Sequence, residues 1–218
     1  MSYSDFSFKE VSRRFGLSNV ERDWFGNVPE VAATPRLQET LDLYYPLARA
    51  ISTEKARSEF LIAPVLAEVL FHFGTRVSLF SGIDFPADPD QGLNGVCDFL
   101  FARSGEQQFL TTPVVAVVEA KNENLRTGLG QCVAEMVGAR IFNAREKKTE
   151  PRLFGVVTTG ELWQFLYLEE NVVGLDARSY HIMSINKILG ILATMLDQPP
   201  GPSSVDSPND LITPRGSE

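Results

Sequence analysis

The sequence predicts an α/β protein in which α-helices flank a mixed central β-sheet. A long apolar helix precedes three strand-like segments, a second helix separates these from a fourth strand, and a β-meander with one more helix follows. The predicted order is therefore αβββαβ, extended by a C-terminal meander and helix. The most informative strand, Val114–Lys121, is β-branched or small until it ends in Glu119 and Lys121.

Composition restricts the classes of function. The chain has 218 residues, 44% of them apolar, which is enough for one domain with a substantial core. A net charge of −8 argues against a protein that coats nucleic acid or a membrane surface, because both need broad positive potential. Cys97 and Cys132 lie in no zinc-binding spacing. No apolar run approaches the roughly 20 residues of a membrane span, so we expect a cytoplasmic protein with no membrane partner.

The distribution of apolar residues and prolines divides the chain into three segments. Residues 1–36 are predicted to form an N-terminal arm, whose aromatic side chains are suited to cover a core but whose role the sequence leaves open. Residues 37–197 are predicted to form the folded domain. Residues 198–218, which begin with Gln-Pro-Pro-Gly-Pro, are predicted to be a flexible C-terminal tail.

Two helices are expected at the start of the domain. Helical spacing of apolar residues begins at Leu37, and Thr53 is placed to cap a second helix that extends to about Phe73. Pro64 lies inside this second helix and should kink it, because proline cannot donate a backbone hydrogen bond. The second helix is apolar on most sides, which is typical of a helix packed deeply against a sheet.

Two acids interrupt the second helix. Glu59 and Glu68 are nine residues apart, so they project from opposite faces and at most one can face a given site. Glu59 is the candidate functional residue. The alternative is that Glu59 is solvated at a rim or paired with Arg57 or Arg76.

Two strand-like segments, Arg76–Ile83 and Gly95–Arg103, precede the strand that ends at Lys121. Alternation along the second segment predicts two faces, with Val96, Asp98 and Leu100 on one and Cys97, Phe99 and Phe101 on the other. Asp98 is therefore a lone carboxylate among apolar neighbours.

The end of the third strand is predicted to be an active site. Glu119 and Lys121 are two residues apart and project from the same face of the strand. If the connection Ser104–Pro113 closes symmetrically, Arg103 meets Val114, and Asp98 then lies directly opposite Glu119. Like charges in that position destabilise a sheet unless a cation lies between them. A divalent metal is the simplest resolution.

The chain then returns to a helix. Thr127 is predicted to cap a helix that runs to about Arg145 and carries Gln131 in its first turn, beside the end of the strand. Gln131 is either a site residue or an exposed amide. A meander follows at Leu153–Thr159, Glu161–Leu168 and Val172–Leu175, with Trp163, Phe165 and Tyr167 expected in the core, before a last helix at Ile185–Leu196.

This series of elements and residues resembles the PD-(D/E)XK nuclease superfamily, which has the restriction-endonuclease-like fold. The resemblance covers roughly Thr53–Leu168 and depends on Glu59, Asp98, the Glu119-Ala-Lys121 motif and the helix of Gln131. The hairpin Gly155–Trp163 is similar to one in the nuclease domain of type I restriction motor subunits. Two positions differ from the family pattern. Cys97 stands where proline often precedes the aspartate, and Glu135 stands where the Gln-x-x-x-Tyr subgroup has tyrosine.

The resemblance implies a Mg²⁺- or Mn²⁺-dependent nuclease that hydrolyses phosphodiester bonds of DNA. Asp98 and Glu119 would be hard oxygen ligands to the metal, with the Ala120 backbone carbonyl as a third. Lys121 would position or deprotonate the attacking water. Glu59 would hold a second metal or its water, and Gln131 would orient Lys121 or contact phosphate.

A non-catalytic interaction or regulatory module that has kept the same fold is the alternative function. The acidic net charge and the lack of a recognisable DNA-reading domain favour it. The cations distinguish the two, because a nuclease should line one groove with Arg57, Arg76, Lys121, Arg126 and Arg140. A homodimer that uses the aromatic meander or the last helix as its interface is compatible with either function.

Overall fold

A computed structural model describes residues 1–197 of the protein. These residues fold into a seven-stranded mixed β-sheet with helices on both faces. The helices are α1 (Phe8–Arg14), α2 (Pro35–Ile51), α3 (Glu54–Arg57), α4 (Ala63–Phe73), α5 (Leu125–Arg145) and α6 (Ile185–Leu196). The strands are β1 (Ser18–Arg22), β2 (Ser78–Asp84), β3 (Val96–Ala102), β4 (Val114–Ala120), β5 (Leu153–Thr158), β6 (Leu162–Glu169) and β7 (Val172–His181). The predicted C-terminal tail lies outside the described residues.

The strands are ordered β1-β7-β6-β5-β4-β3-β2 across the sheet. The pairs β1/β7 and β4/β5 are parallel, and the other neighbouring pairs are antiparallel. Because a parallel pair needs a crossover connection, α5 covers one face of the sheet between β4 and β5. The predicted α/β class and mixed sheet are confirmed.

Two hydrophobic clusters lie on opposite faces of the sheet. On one face α2, α4 and α6 pack against the central strands, and on the other α1 and α5 do so. The strand between them, β4, is buried along its whole length. The carboxyl end of β4 therefore lies between two closed layers, where polar side chains have little access to water.

The N-terminal segment contributes to both the sheet and a helical layer. β1, which the sequence did not predict, pairs with β7 at one sheet edge, and α1 packs on α5. Gly130 of α5 makes this contact possible, since a Cβ there would lie 2.1 Å from the Phe6 carbonyl oxygen. The buried Tyr3 hydroxyl donates to the Phe85 carbonyl oxygen at 2.9 Å. The first residues thus help to fix the position of α5.

The helical stretch around Pro64 is continuous. A π-helical segment, Ser58–Ile62, joins α3 to α4, and the Ala63 N–H donates to the Ser58 carbonyl five residues earlier. This wider turn accommodates the proline, which cannot donate to the preceding turn. Single π turns are frequent at functional sites, and Glu59 lies in this one.

The same stretch bears on the predicted absence of membrane spans. By length and composition alone, Glu54–Arg76 could cross a membrane, which the sequence interpretation did not expect. This match is weak evidence, because the core helix of a soluble protein passes the same test. Here Leu61, Ile62 and Val65 are fully buried within the protein.

The predicted meander is confirmed as β5, β6 and β7, with β7 longer than expected. Trp163, Phe165 and Tyr167 are buried in the core, as predicted. The apolar stripe of α6 is buried as well. The aromatic residues of the meander and the apolar stripe of α6 are thus used inside the protein, and the homodimer through either element stays a prediction.

Candidate active site

The carboxyl end of β4 carries an ion pair that is nearly removed from water. Glu119 is 1% exposed, and its Oε1 lies 2.5 Å from Lys121 Nζ. The Lys121 backbone N–H donates to the Thr158 carbonyl oxygen at 2.8 Å, which anchors this end of β4 to β5. The structure therefore brings the predicted acid and base together.

Asp98 reaches the same place from β3. Its Oδ2 accepts a hydrogen bond from the Ala120 N–H at 2.8 Å, and its carboxyl lies beside that of Glu119. The register supports this contact, because Phe99 pairs with Val118, and the next residues along the two antiparallel strands are Asp98 and Glu119. The predicted opposition of Asp98 and Glu119 thus agrees with the observed pairing.

A β-bulge produces this register. Near the hairpin Ala102 pairs with Val114, not Arg103 as the symmetric closure predicted, and the pairing shifts by one residue before Phe101 meets Ala116. Val115 is the extra residue. Without the bulge the register would be slipped by one, and Asp98 would lie opposite Val118 instead of Glu119.

The predicted alternation along β3 is wrong at its first residues, next to Asp98. Cys97 was expected on the face of Phe99, but its thiol lies beside the Glu135 carboxyl of α5, on the side of Leu100. Gly82 of the neighbouring β2 has a φ of 61°, a left-handed conformation that favours glycine. The edge of the sheet is thus irregular here, and Asp98 lines an open cleft.

Gln131 and Glu135 complete the buried side of the site. Gln131 Nε2 donates to Glu119 Oε2 at 2.9 Å and to Glu135 Oε1 at 3.1 Å, while Gln131 Oε1 lies 3.4 Å from Lys121 Nζ. Gln131 is therefore a member of the cluster and not an exposed amide. Glu135 is fully buried.

The helix that presents Gln131 begins earlier than predicted. Asn124, not Thr127, is the N-cap of α5, and its side chain accepts from the Arg126 N–H at 3.0 Å. Asparagine is among the strongest N-cap residues, whereas the Thr127 hydroxyl donates to the Asn124 carbonyl. The earlier start moves Gln131 from the first turn of α5 to the second.

Glu59 lies at the rim of a cleft of about 310 Å³ next to Asp98. Its side chain is 53% exposed, and its carboxylate pairs with Lys55 at 2.8 Å. The alternative interpretation named Arg57 or Arg76 as its partner, but Lys55 lies one helical turn away. Glu68, by contrast, is buried and accepts from the Thr34 N–H at 2.9 Å, so only Glu59 faces the cleft.

Burial raises the pKa of three acids of the site, and repulsion adds to this effect at Glu119 and Glu135. Burial, followed by the charge of Asp98, raises the pKa of Glu119 to about 8. Burial also raises the pKa of Asp98, and burial with the charge of Glu119 raises the pKa of Glu135. Burial acts to lower the pKa of Lys121, but attraction to Glu119 outweighs it and the pKa rises. Three carboxyls share one ammonium group, and the site lacks positive charge.

The carboxylate and carbonyl oxygens of the site are the ligand types that Mg²⁺ and Mn²⁺ prefer. Asp98 and Glu119 have hard carboxylate oxygens. Of the two, only Asp98 lines the cleft, together with Ala120, whereas the oxygens of Glu119 are held by Lys121 and Gln131. Within residues 1–197, no group of three or more His, Cys, Asp or Glu side chains is arranged to hold a metal. Mg²⁺ commonly binds through one or two carboxylates with water and substrate phosphate in the other positions, so two protein carboxylates are sufficient.

The cations predicted to line one groove divide into two groups. Arg57, Lys121 and Arg126 lie near the carboxyl end of β4, although Arg57 is held by Glu161 at 2.7 Å and the Thr159 carbonyl at 3.2 Å. Arg140 lies 14 residues after Arg126 in α5, which is about 21 Å at a rise of 1.5 Å per residue. Arg76 lies beside Asp197, with 3.8 Å between the charged atoms. The five side chains do not form one groove.

Glu135 is the site residue that sequence reasoning did not select. It had been noted only as a departure from a family pattern. A signal was nevertheless present, because Glu135 is a lone carboxylate between Val133-Ala134 and Met136-Val137, and it follows Gln131 by four residues. That spacing places the two side chains one above the other on a helix.

Comparison with protein-family models gives no match for this chain, and comparison with curated proteins gives none either.

Proposed function

We propose that this protein is a metal-dependent nuclease with a restriction-endonuclease-like core, and that it hydrolyses phosphodiester bonds of DNA. The helix, the three strands β2 to β4, the crossover helix α5 and β5 follow the order that this fold requires. We further propose that it acts in the cytoplasm with Mg²⁺ or Mn²⁺ as its cofactor.

One observation carries the proposal. Asp98, Glu119 and Lys121 converge from two strands at the end of a fully buried β4, and a β-bulge in the β3/β4 ladder brings the two acids opposite each other. Adjacent carboxyls with raised pKa values destabilise a protein, and they are typical of sites that bind a cation or move a proton.

Each residue of the site has a proposed role. Asp98 and Glu119 would hold the metal, whose chemistry is to lower the pKa of a water and offset charge on the phosphate. Lys121, next to both carboxyls, would orient the attacking water and exchange a proton with it. Gln131 bridges Glu119 and Lys121 and holds them in place. Glu59 at the rim would contact outer water or a second ion.

The test is Mg²⁺-dependent cleavage of supercoiled plasmid and of end-labelled oligonucleotides. Asp98→Ala, Glu119→Ala and Lys121→Ala should each lower cleavage by at least about 100-fold while circular dichroism shows an intact fold. Glu123→Ala is the matched control, since Glu123 is an exposed acid two residues beyond Lys121. Retained cleavage in the Lys121 variant would exclude the assigned mechanism.

A non-catalytic interaction module is the second candidate function. One observation favours it, namely that the five cations do not line one groove. The same assay separates the two functions. An inactive wild-type protein that binds neither Mn²⁺ nor DNA would support the interaction module.

A further inference from the structure

Glu135 is a buried acid that the proposed chemistry does not use. It lies in α5 with no exposed surface, and its Oε2 has no hydrogen-bond partner among residues 1–197. A buried carboxyl oxygen without a partner costs free energy, and an apolar side chain of similar size avoids that cost. Glu135 therefore needs an explanation other than packing.

The contacts of Gln131 supply one. A side-chain amide has two N–H donors and one carbonyl acceptor. Both donors of Gln131 are directed at carboxyl oxygens, Glu119 Oε2 and Glu135 Oε1, and the carbonyl is left to face Lys121 Nζ. The three partners of the amide thus match its chemistry atom by atom.

The opposite orientation of the amide is disfavoured by the same neighbours. A flip about the last side-chain bond would direct Oε1 at the two carboxyls and an N–H group at the Lys121 ammonium. Each of these contacts would bring together groups of like polarity. After such a flip Glu119 would keep its ion pair with Lys121. Glu135 would lose its hydrogen bond with Gln131, and its enclosure within the core would keep water from replacing it.

We propose that Glu135 is a positioning residue that fixes the amide orientation of Gln131, so that Gln131 donates to Glu119 and accepts from Lys121. Glu135 destabilises the folded state, but it keeps the Gln131 amide and its partners in one arrangement. Glu135 acts through Gln131 and makes no contact with substrate.

The experiment compares two substitutions at this position. Glu135→Leu removes the acceptor at similar volume, whereas Glu135→Gln keeps an oxygen that can accept from Gln131. The readout is the pair of Gln131 side-chain amide signals in ¹H–¹⁵N NMR spectra, assigned by their loss in Gln131→Leu. Glu68→Gln is the control for altering a buried helical glutamate elsewhere.

Two results together would support the proposal. Glu135→Leu should shift the Gln131 amide signals and speed their hydrogen exchange, while its melting temperature stays the same or rises. Glu135→Gln should keep the wild-type signals, and Glu68→Gln should leave them unchanged. Unaltered signals in Glu135→Leu would overturn the proposal. The proposal would also be overturned if Glu135→Gln lost the wild-type signals and both variants had a lower melting temperature. That result would indicate a structural role for Glu135.

The consequence for catalysis rests on the proposed function, but the NMR result does not. If the protein cleaves DNA, Glu135→Leu should lower kcat by about tenfold to 100-fold through misplacement of Lys121, with KM nearly unchanged. If the wild-type protein does not cleave DNA, the nuclease proposal fails, and the amide signals still decide the role of Glu135.

Discussion

Two buried acidic clusters in this protein, one around a single aspartate and one of three acids, are built in opposite ways. Asp176 of β7 is 1% exposed. Its carboxylate accepts from the backbone N–H groups of Trp24 at 3.2 Å and Arg178 at 3.4 Å, and from the Tyr180 hydroxyl at 2.9 Å. Both of its oxygens are satisfied, and it joins β7 to the segment after β1. Such a carboxylate stabilises the fold.

The cluster at the end of β4 has more negative groups than partners. Asp98, Glu119 and Glu135 share Lys121 as their adjacent ammonium group, and Glu135 Oε2 has no partner among residues 1–197. The comparison shows that burial alone does not define a functional acid. What distinguishes the β4 cluster is that its charges repel one another and would be relieved by a cation.

The largest difference between the clusters should appear in catalysis. Lys121→Met removes the ammonium at similar length, and we expect cleavage to fall by about 10²–10⁴-fold. Asp176→Asn should leave kcat of the folded protein unchanged, since Asp176 lies outside the site. Steady-state kinetics with Mg²⁺ below the melting temperature of each variant measures both effects. Equal losses of kcat in the two variants would remove the functional distinction.

Stability should show the opposite order, with a larger loss when Asp176 is replaced by asparagine than when Asp98 is. Asp176→Asn leaves a buried donor facing a donor, and we expect a loss of about 1–3 kcal/mol in the free energy of unfolding. In Asp98→Asn the amide oxygen can still accept from the Ala120 N–H, and repulsion from Glu119 is removed. The Asp98 variant should therefore be as stable as the wild type, or more stable, at pH 8. Urea denaturation measures this, and destabilisation of both variants would contradict the comparison.

The pH dependence of stability follows from the raised pKa of Glu119. Its pKa rises from an ordinary value of 4.5 to about 8, so between these pH values the folded state binds more protons than the unfolded state. Stability contributed by this group therefore falls as pH rises through that window. Glu119→Gln should flatten the curve and gain stability relative to the wild type above pH 8. The prediction would be contradicted if the free energy of unfolding rose from pH 5 to pH 8 by the same amount in the wild type and in Glu119→Gln.

The smallest effect is expected at the rim. Glu59→Gln removes an exposed ion pair with Lys55, and such pairs contribute about 0.3–0.5 kcal/mol, so cleavage and stability should change by about twofold or less. Lys55→Gln is the matched control, because it breaks the same pair from the other side. A large loss of cleavage in Glu59→Gln alone would assign Glu59 a direct role at the metal.

Much of the site was predictable because strand geometry is strict. The run of β-branched residues that ends in Glu119 and Lys121 predicts a buried strand with an acid and a base on one face, and the structure agrees. Gln131 was placed beside this strand by the helix that follows. The aromatic residues of the meander were also placed correctly in the core.

Other features depend on tertiary packing that the local pattern does not specify. The bulge at Val115 sets the register of Asp98 and Glu119, but a run of valines gives no sign of which residue is extra. The pairing of β1 with β7 joins residues more than 150 positions apart, and β1 is short and polar. Glu135 was recognisable as a lone acid four residues after Gln131, but only the packing of α5 on β4 shows that this face of the helix meets Glu119.

Calorimetric titration of Mn²⁺ tests the central claim most directly, which is that Asp98 and Glu119 form a site for a divalent cation. The protein is titrated alone and with a short phosphorothioate DNA duplex that resists cleavage, because substrate phosphate can complete the coordination. We expect Mn²⁺ binding that is lost in Asp98→Asn/Glu119→Gln. Equal binding by both proteins, or none by the wild type with or without DNA, would contradict the proposed site.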